Sequence, residues 1–125
     1  MNVVDSSAWL EYFADGPNAE DFAQVVEDPA SLLVPSITVF EVFKRIRTQR
    51  DSEIALHAVS QMRKGRVIDL DADLAVAAAD LSADLKLPLA DSVILATARA
   101  FSATLWTQDS DFDGLEGVEY RVHRK

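Results

Sequence analysis

Asn2-Val3-Val4-Asp5-Ser6-Ser7-Ala8-Trp9-Leu10-Glu11-Tyr12-Phe13 opens with a short apolar run, breaks at an acid, and continues with apolar residues at helical spacing. Three such residues suffice for a short strand buried on both faces. Serine is a strong helix cap, because its short side chain accepts from the unpaired N–H groups of a first turn. The stretch therefore predicts a strand over Asn2 to Val4 and, capped by Ser6 or Ser7, a helix through Phe13. The pattern returns at Leu32 to Val34, where Ser36 after Pro35 is placed to cap a helix reaching about Arg50. Val67 to Ile68, Thr104 to Thr107 and Tyr120 to Val122 are the remaining strand candidates. Asn18 is placed to cap a helix through Val26. Asp51 or Ser52 starts one ending near Gly65, Asp71 or Asp73 one ending before Pro88, and a last helix runs from about Asp91 to Phe101. Short apolar strands separated by helices predict an α/β fold, with a small central parallel sheet of about five strands flanked by helices on both faces. In such sheets ligands bind beyond the carboxyl ends of the strands, near the point where strand order reverses.

Five acids gain meaning from that placement. Asp5 ends the first strand, and Asp109 and Asp111 follow Thr104-Leu105-Trp106-Thr107. Glu41 interrupts the apolar segment Ser36-Ile37-Thr38-Val39-Phe40-Glu41-Val42-Phe43, and Asp91 precedes Ser92-Val93-Ile94-Leu95-Ala96. Two carboxylates about 4 Å apart repel by roughly 4 kcal/mol at an effective dielectric near 20. A group of them must take up protons or a cation, and a hard divalent ion with oxygen ligands is the usual answer. Taken singly, each acid has a plainer role. Asp5 and Asp91 could cap helices, Glu41 could pair with Arg45 one turn on, and Asp109 and Asp111 could be turn residues. Their common position at one edge of the sheet is the more specific feature.

The composition, with 49% hydrophobic and 26% charged residues in 125, predicts one domain with an independent core. Cysteine is absent, which excludes disulfides and thiolate chemistry and fits a reducing cytoplasm. No apolar run approaches a membrane span of about 18 residues, and Met1 to Asp5 lack the basic start of a signal peptide. The net charge of −9 argues against a broad electropositive surface. Its distribution is uneven: residues 1–43 carry no Lys or Arg, whereas Lys44, Arg45, Arg47, Arg50, Arg63, Lys64 and Arg66 form a local basic strip. Either a solvated helix face or a nucleic-acid contact fits that strip. His57 and His123 lie in polar surroundings and are expected to be solvated. Trp9, Tyr12, Phe13 and Trp106 are expected in the core. Asp109 to Gly114 imitates the start of a calcium loop, but Tyr120 stands at the position of the bidentate Glu and a strand precedes it.

Four segments together carry a family resemblance. They are Val3-Val4-Asp5-Ser6-Ser7, Pro35 to Val42, Leu87-Pro88-Leu89-Ala90-Asp91 through Ala98, and Leu105-Trp106-Thr107-Gln108-Asp109-Ser110-Asp111-Phe112. Over essentially its whole length, residues 1–125 as one PIN domain, the chain resembles the PIN-domain ribonucleases, specifically the VapC toxins of type II toxin–antitoxin systems. Phe40, before Glu41, is larger than in many relatives. The resemblance implies a catalytic quartet of Asp5, Glu41, Asp91 and Asp109. It implies one or two Mg²⁺ or Mn²⁺ ions held by Asp5, Asp91, Asp109 and Asp111, with Ser6 and Thr107 supporting them. Hydrolysis of an RNA phosphodiester would follow, with Glu41 orienting or deprotonating the attacking water or completing a second metal's shell. The basic strip, Arg45, Arg47 and Arg50 above all, could then hold RNA beside the acids. The resemblance further implies a homodimer and a cognate VapB-type antitoxin partner. For that partner, the helices near Trp9 to Phe13 and Ile37 to Ile46 offer a docking face.

The competing expectation is a receiver-like Mg²⁺-binding phosphorylation module. It shares the length, the doubly wound sheet and an acidic pocket. It calls for a second acid after the first strand, where Ser6 and Ser7 stand, a phosphoacceptor after the third strand, for which Asp69 is available, and a Lys after the fifth, where Lys125 comes late.

Overall fold

The computed structural model describes residues 1–124; Lys125 lies outside the described residues. The strands are β1 Asn2–Val4, β2 Leu32–Pro35, β3 Arg66–Ile68, β4 Thr104–Thr107 and β5 Val118–Tyr120. Among the described residues they form one five-stranded sheet in the order β3-β2-β1-β4-β5, and every pairing is parallel. Helices α1 Ser6–Phe13 and α2 Ala19–Val26 connect β1 to β2. Helices α3 Ser36–Gln49 and α4 Ser52–Met62 connect β2 to β3, and α5 Ala72–Leu85 and α6 Leu89–Ala100 connect β3 to β4. Only a 3-10 turn, Ser110–Phe112, lies between β4 and β5. No helix among the described residues is long and apolar enough to cross a membrane.

Successive side chains of a strand point to opposite faces, so a run of apolar residues fills two cores at once. Val4, Leu32, Val34 and Trp106 face a cluster with Trp9, Phe22, Val42, Ile46, Ala55 and Met62 from α1 to α4. Val3, Leu33 and Leu105 face the opposite cluster, built with Leu87, Ile94, Leu95, Ala98 and Phe112. Trp9 is fully buried and stacks on Phe13, in keeping with its expected place in the core.

The α/β expectation holds, and its departures are local. Of the cap candidates for α1, Asp5 takes the role in place of Ser6 or Ser7, accepting from the Ala8 N–H at 3.0 Å. Asn18 stands before α2 without a side-chain cap bond: its Nδ2 is turned to Gln108 and the Val122 carbonyl, and its Oδ1 accepts from no group among the described residues. Ser36 is already helical, and Pro35 occupies the cap position of α3. Helix α6 starts at Leu89 behind Pro88, so Asp91 lies inside its first turn and caps nothing. The last strand lies two residues earlier than Tyr120 to Val122. Gly117 turns the chain at φ 79°, Val118 pairs with Leu105, and Tyr120 meets Thr107, where β4 ends.

Strand order also decides against the receiver-like module. That architecture places the third strand centrally, in the order 2-1-3-4-5. Here β3 is an edge strand, and the exposed Asp69 beyond it is separated from β1 by β2.

Candidate metal centre

The sheet order reverses between β1 and β4, which makes that pair the switch point at which doubly wound sheets bind ligands. Asp5 follows β1 directly, and Asp109 lies two residues beyond β4. Asp5 is 2% exposed and enclosed by donors. Ser7 Oγ donates to its Oδ1 and Oδ2 at 2.8 and 3.0 Å, the Ala8 N–H donates to Oδ1, and Thr107 Oγ1 donates to Oδ2 at 2.7 Å. Burial pushes the Asp5 carboxyl up to about 6, even though those hydrogen bonds favour its charged form; Asp109 adds to the rise.

Thr107 serves two acids. While donating to Asp5, its hydroxyl oxygen accepts from the Asp109 N–H at 2.9 Å. Asp109 in turn caps the 3-10 turn by accepting from the Asp111 N–H at 2.9 Å. This turn folds Asp111 back, so that Asp91, Asp109 and Asp111 each offer an oxygen within 4.8 Å of the others. Asp91 comes from the first turn of α6. Its carboxyl is pushed up to about 7, first by burial and then by the charges of Asp109, Asp5 and Asp111.

These features fit a hard divalent cation. The donors are all carboxylate oxygens, the set that Mg²⁺ and Mn²⁺ take, and the repulsion felt by Asp91 is the kind that a bound cation relieves. Three of the four expected metal-binding acids therefore gather as one group. Asp5 stands beside them as a hydrogen-bonded base to the group.

Glu41 lies outside the group of three. It sits in the second turn of α3 and accepts from Ser6 Oγ at 2.5 Å. No Glu41–Arg45 ion pair forms among the described residues, where the ion pairs all belong to Arg121. Ser6 thus bonds Glu41, and Thr107 bonds both Asp5 and Asp109. Ser7 read from the sequence only as a helix cap, although it bonds Asp5 directly. Its spacing of two residues from the acid suits a local hydroxyl–carboxylate bond, but Ser6 beside it reads the same way until the helix sets their directions.

Beside the acids a groove of about 480 Å³ runs between α1 and α3, with Ser7 and Gln108 among its lining residues. Arg45, Arg50, Ile46 and Phe13 also line it. Arg47 is exposed on α3 and does not line this groove. His57 is exposed as expected; His123, also exposed, borders the groove.

A profile of the PIN domain matches residues 3–118. A toxin–antitoxin complex from Klebsiella pneumoniae has a similar structure, with a TM-score of 0.78 and 26% identity, covering 95% of this chain and 96% of that one. VapBC2 from Rickettsia felis, solved bound to a DNA fragment from its promoter, gives 0.75 at 15% identity, covering 95% of this chain and 97% of that one. The sarcin-ricin-loop-cleaving toxin VapC20 of Mycobacterium tuberculosis gives 0.74 at 16% identity, covering 90% and 92%. The latter two are likenesses of fold. No curated protein sequence matches the chain.

Proposed function

The chain belongs to the PIN-domain family, and from that premise we propose that it is the toxin of a type II toxin–antitoxin pair, a divalent-metal-dependent endoribonuclease. The observation that carries the proposal is the convergence of Asp91, Asp109 and Asp111 at the switch point beside a buried Asp5. Residues 1–125 act as one PIN domain in this proposal.

A bound Mg²⁺ or Mn²⁺ would neutralise the phosphate, promote attack by water and stabilise the leaving oxygen. Asp91, Asp109 and Asp111 would hold it, with Asp5 completing the shell or fixing the others. Ser7 and Thr107 keep Asp5 from turning away. Glu41, held through one oxygen by Ser6 and lying outside the group of three, would orient the attacking water, take its proton or complete a second metal's shell. Arg45 and Arg50 would hold the flanking RNA backbone along the groove, and Arg47 would add charge behind them. Because water is the nucleophile, the 2′-hydroxyl is a spectator, and the products carry 5′-phosphate and 3′-hydroxyl ends.

An antitoxin partner of VapB type and a homodimer complete the proposal. The toxin–antitoxin assembly from Klebsiella supports it, as do the eight acids and no Lys or Arg of residues 1–43, which suit a basic partner segment. The basic part of that segment would enter the acidic centre, and its apolar face would pack on α1 and α3, where Phe13 and Ile46 line the groove.

The test is RNA cleavage by purified protein with Mg²⁺ or EDTA, beside the Asp91→Asn variant. Cleavage should need the ion and vanish in the variant while the fold persists. Undiminished cleavage by Asp91→Asn, or cyclic phosphate at the new ends, would overturn the mechanism. Co-expression with the adjacent open reading frame, read by light scattering, tests the partner and the dimer.

A further inference from the structure

Asn18 is 1% exposed and lies at the turn between α1 and α2, remote in sequence from every acid of the site. Its backbone N–H donates to Glu11 Oε2 at 2.8 Å, which anchors the turn to the buried Glu11 of α1. The turn is tight there: a Cβ on Gly16 would collide with the Glu11 carboxylate. Asn18 Nδ2 then reaches across to two other segments. It donates to Gln108 Oε1 at 3.0 Å and to the Val122 carbonyl at 2.9 Å.

Gln108 stands between Thr107, which holds Asp5, and Asp109, which belongs to the carboxylate group. Its backbone N–H donates to Ser7 Oγ at 3.3 Å, and that hydroxyl also binds Asp5. The segment 107–109 is therefore pinned from both sides, by Thr107 and Ser7 on the side of Asp5 and by Asn18 on the other. Asn18 makes no hydrogen bond to Asp5, Asp91, Asp109 or Asp111 among the described residues; it acts through Gln108.

We propose that Asn18 is a positioning residue for the metal centre: by clamping the Gln108 side chain it fixes the β4 exit on which Asp109 and Asp111 are carried. The inference rests on the metal-nuclease proposal above. A ligand-bearing loop held by few bonds loses affinity when one goes, and removing such supporting partners typically costs 10–100-fold in metal affinity.

The probe is Mn²⁺ alone, titrated calorimetrically into metal-free protein. Asn18→Ala and Gln108→Met remove the clamp from opposite ends, so one remains informative if the other folds poorly. Each should weaken Mn²⁺ binding by about tenfold. Gln108→Glu keeps an oxygen acceptor for Asn18 Nδ2 and should bind Mn²⁺ at least as well as the wild type. Asp71→Ala, which removes the exposed cap of α5, is the control for lost stability and should leave Mn²⁺ affinity unchanged. Wild-type affinity in both Asn18→Ala and Gln108→Met would overturn the clamp and leave the nuclease proposal standing. A wild type that binds no Mn²⁺ would overturn both.

Discussion

Asp91 and Asp5 are raised by burial first, but only Asp91 is raised by three neighbouring carboxylates as well. That difference has a pH signature. A carboxyl whose folded-state pKa lies above its unfolded value holds its proton more tightly when folded. Its favourable contribution is complete below the unfolded pKa and is lost as pH rises through the folded one. For Asp91 the window runs from 3.8 to about 7. In EDTA, the melting temperature of the wild type should therefore fall across this window. That of Asp91→Asn should fall less, leaving the variant the more stable protein above the window and no better below it. Mg²⁺ should restore the wild type and do little for the variant. Melts in a pH series with and without Mg²⁺ check this, and parallel curves for the two proteins would contradict it. Asp5 and Asp109 could be located from sequence because an acid at a strand's carboxyl end is placed by the strand itself. Asp91 could be located because it heads the apolar run Ser92 to Ala96, although the helix starts two residues earlier, at Leu89. Asn18 could not be, since an asparagine before a helix reads as a cap, and nothing local shows that its amide is taken by a residue 90 positions away.

Elements were legible where hydrophobic pattern and turn chemistry agreed. Val3 and Val4 are both apolar and β-branched, and they became a central strand feeding both cores. β5 was misplaced because Gly117 and Glu119, on either side of Val118, dilute the apolar signal, while the ladder to β4, a tertiary fact, fixes the register. Helix α2 shows how an element holds the site from a distance. Phe22 is fully buried and packs in the cluster shared with Trp9 and Val4. Phe22→Ala should cost about 3–5 kcal/mol, because it removes apolar contact and leaves a cavity between α2 and the sheet. Asp71→Ala, at an exposed cap, should cost about 1 kcal/mol. Urea denaturation of the two variants measures both, and equal losses would contradict the packing described for α2.

Across the whole molecule, the charge is divided by the fold. The chain carries −9, yet α3 brings Arg45 and Arg50 to the groove beside the acids. For a single strand, each neutralised phosphate contributes about −0.7 to the slope of log affinity against log salt. The double change of Arg45 and Arg50 to Ala should therefore weaken RNA binding and reduce that slope by about 1.4. Arg47→Ala should have a smaller effect, and titrations over a salt series would separate the two. An unchanged slope in the double variant would assign these arginines to the solvated face that the sequence equally allowed. The strand order has an effect in time as well as in space. β1 is made first but becomes the centre of the sheet, and its partner β4 pairs Val4 with Trp106, about a hundred residues later. At roughly 5–20 residues per second, the ribosome takes on the order of five to twenty seconds to cover that distance. Until Thr107 emerges, Asp5 has only its local donors Ser7 and Ala8, and Asp109 and Asp111 do not yet exist. A chain whose translation is interrupted before Asp111 is thus without the carboxylate group, however well its first strand is formed.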